Sequence, residues 1–375
     1  MPSRHQSWPW GIPAALVLAP WLALGLAPTR GHADDAASSL YIRTDTDHTT
    51  VVSPRARVGV DLDEATSADL AYSADVWTSA SIDIRTAASK VVTEQRDELD
   101  ATVSHDFGDV MLGGGYRFSY ENDYESHALS GSLSIDLAEN ATTLATSGYV
   151  SKDVAGRSGD PSYARQLASF GVRAALTQII DRQTLLQTSY DLASLDGYQA
   201  SPYRFVGLDG PCVGLLAGPS CPPERTPNKR LRHALVLRGK RALSESVSAG
   251  LGYRLYFDDW SIRSHTLDAE LAFVPDDQST LTLRYRFYTQ GGAEFYRAHY
   301  RSTDTDLRYL TSDRELSPMG LYRLGLDADH SFAIDDDTLL RLALSVGLTR
   351  YSYDDFPGLT DVTAYELSLA LVVEL

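Results

Sequence analysis

The chain has 375 residues, 43% of them hydrophobic, and a formal charge of −17 that becomes −19 once residues 1–33, with Arg4 and Arg30 and no acid, are set aside. So acidic a protein is a poor partner for nucleic acid. Beyond residue 33 no stretch of eighteen apolar residues occurs, which excludes a helical membrane protein.

In chain order, residues 1–33 come first and read as a cleaved secretory signal peptide: Arg4, an apolar core from Ile12 to Leu26, then the small-residue exit Gly31-His32-Ala33. The core is short and interrupted by prolines, so cleavage after Ala33 is expected rather than anchoring. Residues 34–375 then form a single domain.

From Ala37 to the last residue the chain keeps one rhythm, segments of roughly ten to fourteen residues that alternate apolar and polar. Leu281, Leu283, Tyr285 and Phe287 share one face, against Thr282, Arg284, Arg286 and Tyr288 on the other. His265, Leu267, Ala269, Leu271 and Phe273 oppose Thr266, Asp268, Glu270 and Ala272 in the same way. Strands this long with one greasy face fit a membrane wall better than a soluble sandwich.

The breaks alternate in length. Tight ones fall at Asp63-Glu64-Ala65-Thr66, Gly108-Asp109, Glu139-Asn140, Asp181-Arg182, Ser244-Glu245, Asp276-Asp277 and Asp335-Asp336-Asp337. The others cover about 79–93, 121–126, 153–165, 196–229, 258–263, 290–319 and 353–361. Fifteen segments are clear, and Ser39 to Thr46 supplies the one that makes the count even. The expected fold is all-β: a transmembrane antiparallel up-and-down β-barrel of about sixteen strands, with short periplasmic turns, longer extracellular loops and both termini periplasmic.

Phe107, Phe273 and Phe332 precede short turns, while Trp77, Tyr124, Trp260, Phe287 and Phe356 lie toward the long loops, as two interfacial girdles would. Gly113-Gly114-Gly115 sits inside a strand, where it relieves crowding or permits curvature. Cys212 and Cys221 lie nine apart in a Pro- and Gly-rich stretch of an exported chain, which predicts a loop-closing disulfide. A metal site there is the weaker alternative, because no histidine sits at ligand spacing. The final segment, Tyr365, Leu367, Leu369, Leu371, Val373 and Leu375, resembles the terminal signal read by the bacterial barrel-assembly machinery, though it ends in leucine rather than an aromatic residue.

Seven stretches carry a family resemblance: VTEQRDE at Val92–Glu98, YQASPYRF at Tyr198–Phe205, RLRHA at Arg230–Ala234, YFDDW at Tyr256–Trp260, RYRFYTQ at Arg284–Gln290, DRELSP at Asp313–Pro318 and YSYDDFPG at Tyr351–Gly358. With these the chain resembles an uncharacterised family of bacterial outer-membrane barrels, the domain of unknown function 3570 family. The resemblance implies the barrel and the outer membrane of a Gram-negative cell. It brings no activity and no functional residues.

Sixteen strands leave an aqueous lumen unless side chains or loops fill it, so candidate functional residues are those that alternation points inward. Asp69, Asp75, Glu98 and Asp100 fall on one wall; Arg232, Arg254, Arg284 and Arg286, with Asp268 and Glu270 between them, fall on another. One reading is a transverse field that sorts small polar or charged solutes, hence a porin-like channel. The bland reading is a cross-strand salt-bridge ladder that satisfies a polar interior, in a non-conducting barrel that scaffolds partners or receives ligands on its outer loops. The loops 196–229 and 290–319 separate the two, since either one folding inward narrows the bore.

An outer-membrane hydrolase is a third and weaker reading. His233 and His265 sit near the long-loop rim facing lipid, with no nucleophile elbow and no carboxylate to orient them. The acidic rims, including Asp45, Asp47, Asp258, Asp259, Asp304, Asp306, Asp354 and Asp355, lack calcium-loop spacing. No enzyme, no cofactor and no metal is therefore expected. The expected partners are outer-membrane lipid, the barrel-assembly machinery and small polar solutes, with a homo-oligomer implied only by likeness to porins of this size.

Overall fold

A computed structural model describes residues 35–79, 92–212, 218–335 and 338–375; the signal segment lies outside the described residues. Sixteen strands follow in order: β1 (Asp35–Asp45), β2 (Thr49–Asp61), β3 (Thr66–Ser79), β4 (Val92–Asp106), β5 (Val110–Glu121), β6 (Tyr124–Leu137), β7 (Thr142–Ala155) and β8 (Arg165–Asp181). The second half is β9 (Thr184–Gly197), β10 (Lys229–Ala242), β11 (Val247–Asp258), β12 (Arg263–Asp276), β13 (Ser279–Gln290), β14 (Met319–Ala333), β15 (Leu339–Tyr353) and β16 (Asp361–Glu374). Each pairs antiparallel with its sequence neighbours, and β1 closes on β16 from Asp35↔Glu374 to Asp45↔Ala364. The barrel has no free edge, so every strand is paired on both sides, as an apolar surrounding requires. Both ends of the sheet, Asp35 and Glu374, lie at the short-turn end.

Alternation fixes which side chains meet what. Leu267 and Leu271 on β12, Leu281, Leu283 and Tyr285 on β13, and Leu342, Leu344, Val346 and Leu348 on β15 stand exposed on the outer surface. So large a continuous apolar band has no place in water and matches the hydrocarbon zone of a bilayer. The opposite parity, including Arg284, Arg286 and Asp268, faces the bore.

Inward glycines mark crowding. A Cβ on Gly115 would lie 2.8 Å from Thr102 Cγ2 and 2.9 Å from Ser130 Oγ. Gly171 is covered by the Tyr149 ring on the neighbouring strand, an aromatic laid over a strand glycine. Pro54 sits inside β2, where it cannot donate to a ladder, and the β2–β3 register is interrupted there, resuming at Arg55↔Ser73.

The two ends are built differently. At the short-turn end, aspartates close the turns by accepting backbone N–H bonds: Thr66 N to Asp63 at 2.8 Å, Gly108 N to Asp106 at 2.7 Å, Gln183 N to Asp181 at 2.8 Å and Thr338 N to Asp335 at 2.8 Å. At the other end the described residues of the segments 198–228 and 291–318 interlock. Arg225 and Leu310 exchange backbone bonds at 3.0 and 2.9 Å, Leu208 pairs with Tyr300, and Val206, Tyr300 and Leu310 form a small core in which Leu310 is fully buried.

Candidate functional site

The interlocked segments make a cap, and its hub is Glu224. This carboxylate accepts from Ser201 N at 2.7 Å and from the Thr311 hydroxyl, and it pairs with Arg204 at 3.2 Å, with only 2% of its side chain exposed. Arg204 reaches on to Asp313 at 2.9 Å. Burial pushes the Glu224 carboxyl above its ordinary value, and Arg204 pulls back against that. A second core, Trp260, Ile262, Ala293, Phe295 and Leu316, joins segment 291–318 to the β11–β12 turn.

The cap is tied around the rim. Arg314 pairs with Asp47 of the β1–β2 turn at 2.8 Å, and the Tyr296 hydroxyl donates to Asp355 O of the β15–β16 loop at 2.6 Å. The Tyr203 hydroxyl donates to Asp123 in the β5–β6 turn, and Arg157 of the β7–β8 loop donates to Pro202 O at 2.9 Å. Burial, and then the Asp123 carboxylate, push the Tyr203 hydroxyl up to about 12, so it serves as a donor. Cys212 and Cys221 form the expected disulfide, with Cα atoms 5.7 Å apart, within the cap.

Under the cap the bore has two unlike walls. From β4 to β9 the inward wall mixes serines, Ser119, Ser126, Ser130, Ser132, Ser147 and Ser151, with longer side chains such as Arg96, Glu98, Arg117 and Arg173, and it leaves a chamber of about 1510 Å³ roofed by Ser201–Arg204. From β10 to β14 long side chains occupy the bore, leaving cavities of about 460 and 220 Å³. In the closed order β4 and β12 stand eight strands apart, so these walls face each other.

The charged candidates are only partly arranged as the sequence implied. Asp69 is spent on Arg57, which also holds Asp35 at 2.6 Å. Asp100 and Glu98 share Arg117 at 2.7 and 3.7 Å, and Asp75 accepts from Ser53 at 2.5 Å. Opposite, Arg286 pairs with Asp268 at 2.6 Å, as a ladder requires, but Arg284 turns to Asp327 at 2.5 Å and Glu270 to Lys240 at 3.3 Å. Arg232 and Arg254 have no ion pair among the described residues. The acidic wall is thus largely neutralised by its own arginines, while β10 and β11 keep uncompensated positive charge.

The expected outer girdle at the long-loop end differs in membership. Trp77 and Tyr124 face the chamber, Trp260 is in the cap core, and Phe356 packs against Met319, Tyr353 and Val362. Inward-facing aromatics beyond the bilayer zone seed the cap rather than meeting lipid. The outer surface there carries tyrosine–histidine pairs instead: Tyr116 with His127, Tyr190 with His233 and Tyr253 with His265, at 2.7, 2.7 and 2.6 Å. Such pairs present an apolar body with a polar edge, suited to a headgroup boundary. Among the acidic rims, Asp45 is taken by backbone N–H groups of Asp47 and Thr49, both at 3.0 Å, and Asp258 by Arg230 at 2.6 Å.

In overall shape the barrel is similar to a solved bacterial polysaccharide outer membrane secretin, with a TM-score of 0.53 at 9% identity over 92% of this chain and 99% of that one. It also matches OprD of Pseudomonas aeruginosa (TM-score 0.44, 9% identity, 92% and 95% covered) and the ferric-catecholate import receptor Fiu of E. coli K12 (0.45, 10%, 92% and 82%). At 9% identity the likeness to the secretin is one of fold alone, an outer-membrane barrel. No curated protein matches the sequence. The family described as "Protein of unknown function (DUF3570)" matches residues 86–171 and 164–359, well over half of the sequence, and the chain belongs to that family.

Proposed function

We propose that the protein is a porin-like channel of the outer membrane for small polar or charged solutes, with the interlocked cap governing access to the bore. The observation that carries this reading is the chamber of about 1510 Å³ lined by serines and charged side chains directly beneath the cap. A non-conducting barrel gains nothing from an unfilled chamber on one side of its bore, because filling that space would stabilise it. In this reading the short turns face the periplasm, lipid surrounds the apolar band, and no catalytic step is involved.

Planar-bilayer recording of the purified, folded protein tests it. Discrete conductance steps are expected, and Ser130→Trp, which sets a bulky ring in the chamber, should lower them. Arg254→Ala combined with Arg284→Ala should shift permeability toward cations, since it removes two positive charges and frees Asp327. The competing reading, a closed barrel that receives ligands on its loops, draws support from the ties between cap and rim. A bilayer that stays silent with folded protein would favour it.

A further inference from the structure

A second cavity of about 460 Å³ opens beneath the cap on the β10–β13 side, within the range of small-molecule sites. Three arginines line it, Arg230, Arg232 and Arg254. Arg230 is spent: Asp258 accepts from its Nε and Nη2 at 2.9 and 2.6 Å, and its guanidinium lies 4.2 Å from the Trp260 ring centroid. Arg254 lies 5.5 Å from the Tyr256 ring, with no ion pair and no side-chain hydrogen bond among the described residues. Arg232 is likewise without an ion pair, and its Nε is enclosed with no acceptor.

The acids of the lining do not cancel this charge. Asp313 is held by Arg204 at 2.9 Å, and Glu315 on the roof forms no ion pair with Arg232 or Arg254 among the described residues. A guanidinium taken out of water without a counter-charge is costly, and an incoming anion removes that cost. The planar fork of arginine matches a carboxylate or phosphate group, with two parallel N–H bonds to one oxyanion. Gln199, Ser264 and Tyr288 add neutral polar groups to the same lining.

We infer that this cavity is a binding site for small solutes bearing a carboxylate or phosphate group, held by Arg232 and Arg254. The inference deepens the channel reading and rests on it only in that solutes must enter the bore. It is tested by binding, so its failure is separate from a failure to conduct.

The experiment is calorimetric titration of the full-length folded protein in detergent at low ionic strength, with succinate, inorganic phosphate and, as a cation control, choline. Saturable binding of succinate, phosphate or both is expected, and which one binds identifies the oxyanion; choline should give none. Arg232→Gln with Arg254→Gln should weaken binding by at least about tenfold, while Arg341→Gln, paired elsewhere with Asp329, should leave it unchanged. Glu315→Gln, a substitution in the cap rather than the wall, should tighten binding by about twofold to fivefold by removing a like charge. The proposal is overturned if neither anion binds, if choline binds as well as they do, or if the Arg232→Gln, Arg254→Gln double variant binds as tightly as the native protein.

Discussion

The two ends of the barrel close in opposite ways. At the short-turn end each closure is local: Asp63 accepts from Ala65 and Thr66, two and three residues on. At the capped end Glu224 is joined to Thr311, 87 residues away, and Arg314 to Asp47, 267 residues away. The first arrangement holds two strands together and leaves the bore alone. The second roofs the bore, and because its contacts form one network, loosening a single hub should release much of it.

Glu224→Ala should therefore have the largest effect on this contrast. It leaves Ser201 N, Thr311 and part of Arg204 unsatisfied in a buried place, a loss of about 3 kcal/mol. Limited proteolysis should then cut segments 198–228 and 291–318 while β-sheet content by circular dichroism stays unchanged. Cys212→Ser with Cys221→Ser should cost about 2–3 kcal/mol of cap stability, read by hydrogen exchange confined to the cap. Arg314→Ala, which breaks a mostly enclosed pair with Asp47, should cost about 1–2 kcal/mol and free the cap on the β1–β2 side alone.

A pH series should separate the ends by sign. The Glu224 pKa is raised by burial, so its contribution is present below the ordinary value of 4.5 and is lost as pH rises through the folded value. The Asp63 pKa is lowered, first by the Ala65 N–H, so its contribution is present above 3.8 and is lost as pH falls through the folded value. Cap proteolysis should accordingly quicken with rising pH in the native protein and lose that dependence in Glu224→Gln. The smallest effect belongs to Asp63→Ala, a local loosening of residues 62–66 by hydrogen exchange with the cap untouched.

The same contrast governs what could be read from the sequence. Period-two alternation reports a one-residue choice between lipid and bore, so the strands, their number and the faces of β12 and β13 were all legible. So were the aspartate turns, whose chemistry spans three residues. The cap was not, because nothing near Glu224 sets it apart from the other acids and its partners come from a different loop. Lone apolar residues in polar runs, such as Leu310 and Ile262, were the available hint. The charged walls were half legible: alternation put Arg284 and Glu270 on the right face, but not the choice of Asp327 and Lys240 as partners, which depends on side-chain reach across the sheet. The Tyr253–His265 and Tyr116–His127 pairs follow from hairpin register around one short connection, whereas Tyr190–His233 spans the whole 198–228 loop and needed the fold.

The most direct test of the cap's role is single-channel conductance of the native protein beside a variant carrying Glu224→Ala and Arg314→Ala. If the cap governs entry to the chamber, the variant should conduct at least about twofold more per open event, or stay open longer, at equal folded protein. Identical conductance and open times in the two proteins would contradict it.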